Sequence, residues 1–435
     1  MKKTSAQLEE IHTQAPYPLI RSAWAAGIAA LEPSAARLEH GLTLHRQVPV
    51  IDTFGFLPLV YHPDSLPLLD AIRASGIGAR DFAFEYTLLR RRSALAHPEG
   101  LKEFIYALAA SGLSGMLLTM AEGKTREEDI KLMTTQAAMM RTARAGIGQS
   151  GSIEEFHEIR SQERMGIFGS VNGPPLASAL RDPREEFAWL QTWHDLGVRA
   201  MHLTYNRRNA VGDGCAETSN AGLSDLGEHL VNELNRLGII IDVPHSGTQT
   251  CLDACRLSTK PVMASHTGRK AFHDHPRNKS DDVIKAIADT GGVVGVVALP
   301  GILGKNGDLP SLLDALDDMV SLIGVDHVAL ATDYCYRSPG PDSFLHGSLA
   351  GADFKPSWWG ETSSTAAGKA GRSRPKSPSG DQFGGCLAWT NWPLFTVGLV
   401  IRGYSDDEVA KILGGNFLRV LNDQNSEPTS STLPQ

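Results

Sequence analysis

Two histidines and an aspartate, His245, His266 and Asp333, each stand directly after a short apolar, β-branched run. Neutral imidazoles together with a carboxylate are good ligands for zinc, iron and other first-row divalent ions. No linear motif links them. They share only a place at the end of a candidate strand, and other polar residues share it: Asp52, Asn172 followed by Gly173, and Tyr205 followed by Asn206. Alone, either histidine is equally well explained as a hydrogen-bonded pocket residue, and Asp333 as a cap on a loop or helix. Their recurrence at one kind of position points to a shared cavity.

That position is set by the elements before it. The candidate strands are Val48–Asp52, Gly115–Thr119, Gly166–Val171, Ala200–Thr204, Ile239–Val243, Pro261–Ser265, Val293–Leu299 and Val328–Thr332. Several are continuous apolar runs, as parallel strands buried on both faces require. Helical patterns such as Asp225–Leu237 and Asp281–Thr290 lie between them. Eight strands alternating with helices predict an α/β protein of the (β/α)8 TIM-barrel class, whose working residues gather at the C-terminal ends of the strands.

The remainder frames this barrel. Residues 1–47 read as three helices, Ala6–Thr13, Leu19–Leu31 and Ser34–Gln47, punctuated by Pro16, Pro18 and Pro33 and packing on the barrel of residues 48–421. The stretch 337–383 after the last strand is rich in Gly, Ser and Pro and reads as an inserted mobile loop, with Trp358 and Trp359 suggesting a lid. Trp392–Val400 and Asp406–Leu421 read as closing helices, and 422–435 as a disordered tail.

The 435 residues carry a net charge of −8, which argues against nonspecific nucleic-acid binding. No stretch is apolar enough for a membrane span, and the first residues lack the apolar core of a secretory leader, so a cytoplasmic protein without a membrane role is expected. The five cysteines, an odd number without a CxxC pair, do not suggest a disulfide framework.

Longer runs carry a resemblance. Leu203-Thr204-Tyr205-Asn206, Ile241-Asp242-Val243-Pro244-His245, Ala264-Ser265-His266, His275-Pro276-Arg277-Asn278 with Asp281-Asp282, Thr332-Asp333, and Gly414-Gly415-Asn416-Phe417 occur in order. They resemble the renal (membrane) dipeptidase family of the amidohydrolase superfamily. The resemblance implies a barrel, usually dimeric, that hydrolyses dipeptides with two zinc ions bridged by a glutamate. It implies that His245 and His266 hold one ion, that Asp333 keeps the acid after strand eight, and that Arg277 receives the free carboxylate of a small-molecule substrate, a task suited to a forked, permanently charged guanidinium.

The chain departs from the family where the other ion belongs. Phe54-Gly55-Phe56 replaces the family's His-x-Asp, Asn172 replaces the bridging glutamate, and Tyr205 replaces a substrate-facing histidine. One divalent ion is therefore expected, zinc first and iron as the alternative, held by His245, His266 and Asp333. Phe54, Phe56, Asn172 and Tyr205 would line the substrate pocket. Asp333 and Tyr205 would serve catalysis as general base and oxyanion donor. Glu122, just past strand two, is taken as a solvated loop acid. Three readings stay open: a mononuclear dipeptidase-like hydrolase, a non-haem-iron lyase, isomerase or oxidase drawing on Tyr334, Cys335 and Tyr336, and a non-catalytic binding relative.

Overall fold

The computed structural model describes residues 4–76, 95–122, 125–176, 182–339 and 385–424, with residues 85, 88, 89 and 92 between the first two stretches. Eight parallel strands follow one another in the order β1-β2-β4-β5-β6-β7-β8-β9. They are β1 Ile51–Gly55, β2 Gly115–Ala121, β4 Met165–Val171, β5 Val198–His202, β6 Ile240–Asp242, β7 Met263–Thr267, β8 Val293–Val297 and β9 Val328–Ala331. A short extra strand, β3 (Ile147–Gln149), pairs only with β4 and lies off this path.

The first and last strands meet through bonds at their C-terminal ends. Phe54 O accepts from Asp333 N at 2.8 Å, and Asp52 Oδ1 accepts from Thr332 N at 2.9 Å. The result is a nearly closed (β/α)8 barrel. Its strands bury side chains on both faces, which is why they read as unbroken apolar runs.

The expected strand spans need modest shifts. Strand one was placed at Val48–Asp52 but runs Ile51–Gly55, because Pro49 offers no N–H to a ladder and pairing with β2 begins at Ile51. Phe54 and Gly55 are thus inside the strand rather than beyond it. The closing helix expected at Asp406–Leu421 is broken into Asp406–Ala410, a π-turn Lys411–Gly415 and Asn416–Asp423. A side chain at Gly414 would meet the Pro49 carbonyl at 2.7 Å, so the turn lets two backbones touch where the chain enters β1.

Helices Ser5–Thr13, Pro18–Leu31 and Ala35–Gln47 precede the barrel. The third crosses helix Trp392–Arg402 so closely that a Cβ on Gly41 would lie 2.7 Å from Val397 Cα. Most of the expected 337–383 loop, including Trp358 and Trp359, lies outside the described residues, as does the tail from 425 onward.

Candidate active site

The C-terminal ends of the strands converge as the alternation predicts. His245 follows β6 and is 3 % exposed; His266 lies within β7 and is fully buried. Their Nε2 atoms face each other at 3.0 Å. Nδ1 of His245 lies 2.6 Å from Asn206 Oδ1, so Asn206 draws the ring proton to Nδ1 and leaves a lone pair on Nε2. Nδ1 of His266 lies 2.8 Å from Ser265 Oγ, a hydroxyl that can either donate or accept. When Ser265 accepts, two lone pairs confront each other and demand a shared cation.

Burial, reinforced by the charge of Arg277, holds both imidazoles well below their usual pKa. A charged imidazolium is thereby disfavoured, and both rings stay neutral. Two nitrogens bound about 2.0–2.1 Å from one tetrahedral ion would stand roughly 3.3 Å apart, so a small separation of the rings admits it. Outer partners such as Asn206 and Ser265 are what such ligands require to stay aimed. The pair therefore fits one divalent ion.

The Asp333 carboxylate does not lie within 4.8 Å of both imidazole nitrogens. Among the described residues the only three potential ligands with donor atoms all within 4.8 Å of one another lie elsewhere, at His62, Asp64 and His97. Of the expected His245–His266–Asp333 set, the structure brings the two imidazoles into direct contact. The backbone at Asp333 is left-handed (φ 58°) and tied through its N–H to Phe54 O. This turn fixes the backbone beside strand one, while the Asp333 carboxyl acts on Arg277, Glu122 and Tyr205. Burial, with the charge of Glu122 adding and that of Arg277 opposing, pushes its carboxyl up to about 6.

Strand one fills the side of the cavity next to His266. Phe54, 2 % exposed, stacks on His266 with ring centroids 4.0 Å apart and also tilts against His202 at 5.4 Å. Phe56 meets its edge at 5.9 Å. A side chain at Gly55 would begin 2.2 Å from Asp52 Oδ2, so only glycine fits between the two aromatic residues. The half of the cavity that a His-x-Asp pair would line is filled with carbon. Replacing Phe54 with alanine should cost about 3–5 kcal/mol of stability, read as a lowered denaturant midpoint, because neighbours held by strands cannot close the hole.

Glu122 is not a solvated acid. It is half-buried and accepts from Asn172 Nδ2 at 3.1 Å, joining the ends of β2 and β4. Asn172 Oδ1 is buried and without a partner, a polar atom turned to no protein donor. Tyr205 remains 49 % exposed at the mouth, its ring stacked on His245 at 4.1 Å. Arg277 is 4 % exposed, its guanidinium reaching Pro244 O at 3.4 Å and His266 O at 3.3 Å. No carboxylate pairs with it among the described ion pairs, and a buried cation so placed is ready for an anionic ligand. Tyr334 and Tyr336 are buried and their hydroxyls donate to Leu387 O and Glu103 Oε1. They are packing residues of the departing loop, not mouth residues open to redox chemistry.

The sequence reading missed His202 and Asp242. They are register partners on β5 and β6, fully buried, with Nε2 to Oδ2 at 3.1 Å. The His202 ring lies 5.3 Å from His245 and 5.6 Å from His266. The available signal was a histidine and an aspartate each interrupting an apolar run. Lys279 was also missed; it is 4 % exposed and donates to Ser246 O at 2.6 Å.

Comparison with known proteins agrees with this architecture. The family model of membrane dipeptidases (peptidase family M19) matches residues 106–343, and the chain belongs to that family. The match includes Asn172, Tyr205, His245, His266, Arg277 and Asp333 and begins after strand one. An uncharacterized dipeptidase of Schizosaccharomyces pombe is 30 % identical over 233 residues, 53 % of this chain and 48 % of that protein. Dipeptidase aclJ of Aspergillus oryzae is 30 % identical over 240 residues, 54 % of this chain and 47 % of that one. The chain thus spans about half the length of the curated relatives it matches. A solved amidohydrolase from Pseudomonas aeruginosa shares the fold, with a TM-score of 0.65 at 23 % identity over 89 % of this chain and 99 % of that one. Among the described residues no helix is long and apolar enough to cross a membrane.

Proposed function

We propose that the protein is a metal-dependent hydrolase of small dipeptide-like amides bearing a free carboxylate, working with one divalent ion, zinc foremost, at His245 and His266. The observation that carries this reading is the facing of two neutral, outer-supported imidazole nitrogens at 3.0 Å beside a buried arginine that makes no close ion pair among the described residues. An ion held by the pair would supply Lewis acidity toward the amide carbonyl and its attacking water.

The chain's own groups divide the remaining work. Arg277 receives the substrate carboxylate and so fixes the distance of the scissile amide from the histidine pair. Asp333, with its carboxyl near 6, is ionised at neutral pH and basic enough to take a proton from water. It can return that proton to the leaving amine. Tyr205, at the mouth over His245, donates its hydroxyl hydrogen to the developing oxyanion, a contact worth about a hundredfold to a thousandfold in rate. Phe54 and Phe56 keep water from the side of the cavity that lacks ligands. The burial of Tyr334 and Tyr336, whose hydroxyls are already bonded, supports hydrolysis over an oxidative reaction drawing on them.

The test is direct. Protein stripped of metal and then given zinc should cleave dipeptides, and should not cleave the same peptides amidated at the C-terminus. Zinc uptake at the histidine pair without hydrolysis of any dipeptide in a broad panel would leave a binding protein instead.

A further inference from the structure

The other set of ligand-type side chains lies outside the barrel mouth. His62 precedes the short 3-10 turn Pro63–Ser65, and His97 stands at the N-cap of helix Pro98–Ser111. Their rings are nearly parallel, with centroids 3.7 Å apart and 15° between planes. Asp64 Oδ2 lies 3.6 Å from His62 Nδ1 and 3.7 Å from His97 Nε2. Both separations are too long for hydrogen bonds. They do match the edge of a coordination tetrahedron, since donors about 2.0–2.2 Å from one centre stand roughly 3.3–3.6 Å apart.

We propose that His62, Asp64 and His97 form a second site for a borderline divalent transition ion, of the zinc, cobalt or nickel class. Two imidazoles and one carboxylate disfavour magnesium and calcium, which prefer all-oxygen sets. Part of the surface of each side chain is open, at 24 %, 67 % and 30 % for His62, Asp64 and His97, so an ion can enter from solvent and keep water in a fourth position. Its entry displaces one weak bond, the 3.3 Å donation from Asp64 N to His62 Nδ1, and turns one imidazole out of the ring stack so that both in-plane lone pairs meet the ion. The His97 side chain caps nothing and is free to ligate.

The location gives the ion a structural task. The chain leaving β1 pairs with the chain leaving β9, through Leu59 N to Tyr336 O at 2.9 Å and Tyr61 N to Ser338 Oγ at 2.6 Å. His62 is the next residue. An ion bound there fastens the end of this pairing to helix Pro98–Ser111 and braces the mouth from outside. The site stands independently of the proposed hydrolase.

The test uses the full chain with the mouth pair removed, His245→Ala with His266→Ala. Calorimetric titration with zinc should show one equivalent bound, and zinc should raise the melting temperature. Adding His97→Ala should weaken that binding by more than the roughly tenfold to hundredfold that loss of even an outer partner costs, with Asp64→Asn acting in the same direction. A double variant that takes no zinc, or binding untouched by His97→Ala and Asp64→Asn, overturns the proposal. Should the double variant not fold, His97→Ala alone should lower the zinc stoichiometry of the otherwise unaltered chain by one, and an unchanged stoichiometry overturns the proposal equally.

Discussion

Arg277→Ala should lower kcat/KM for a dipeptide by about 2–5 kcal/mol of binding, roughly thirtyfold to several thousandfold, chiefly through KM. The reason is the state of the free protein. The guanidinium is buried, its two contacts to backbone carbonyls are long, and no acid among the described ion pairs neutralises it. A ligand carboxylate would therefore meet a charge that is already desolvated, and truncation would leave that carboxylate buried and alone. Arg277→Lys should recover only part of the loss, because an ammonium lacks the two-pronged geometry. Steady-state kinetics on a dipeptide and its C-terminal amide provide the check. The amide should be insensitive to the substitution, and equal losses on both would show that Arg277 supports the mouth rather than the ligand. Metal content should be unchanged, since Arg277 touches His266 only through the carbonyl.

The second large effect concerns the histidine pair. His266→Ala or His245→Ala should each reduce bound zinc by one equivalent and abolish hydrolysis, because one imidazole cannot hold the ion that two share. Asn206→Ala should do less, weakening zinc by about tenfold to hundredfold through loss of the ring's aim. Metal analysis of each purified variant beside the unaltered protein decides the matter. Full zinc content in both histidine variants would defeat the assignment. His202 offers an internal comparison, since it sits 5.3 Å from His245 between ring centres yet turns its Nε2 toward Asp242.

The parts of this arrangement that were legible in sequence were those fixed by local pattern. A parallel strand buried on both faces writes itself as an apolar run, so seven of the eight barrel strands fell within two residues of their observed start. The exception was β1, where Val48 and Val50 extended the run across Pro49. β3 escaped notice because three residues paired on one side carry almost no pattern. At the site, His245 and His266 could be assigned to one cavity because each stands at the C-terminal end of an apolar run, His245 just past β6 and His266 near the end of β7.

What could not be read were relations across strands. Glu122 became a partner of Asn172 only once β2 and β4 lay side by side, fifty positions apart in the chain. His202 and Asp242 looked like blemishes in two apolar runs until the register placed them opposite each other. The left-handed backbone of Asp333 and its bond to Phe54 O likewise have no local pattern that announces them.

That left-handed residue has a consequence for how the site comes into being. Asp333 is oriented by a bond to Phe54, and Thr332 by bonds to Asp52, 280 positions earlier. The turn at Asp333 is therefore set only where the two ends of the barrel's circuit join. The histidines draw on neighbouring strands in the middle of the chain and need no such closure. A slip of one residue in the first strand would displace a turn almost three hundred residues downstream and leave the histidine pair where it is.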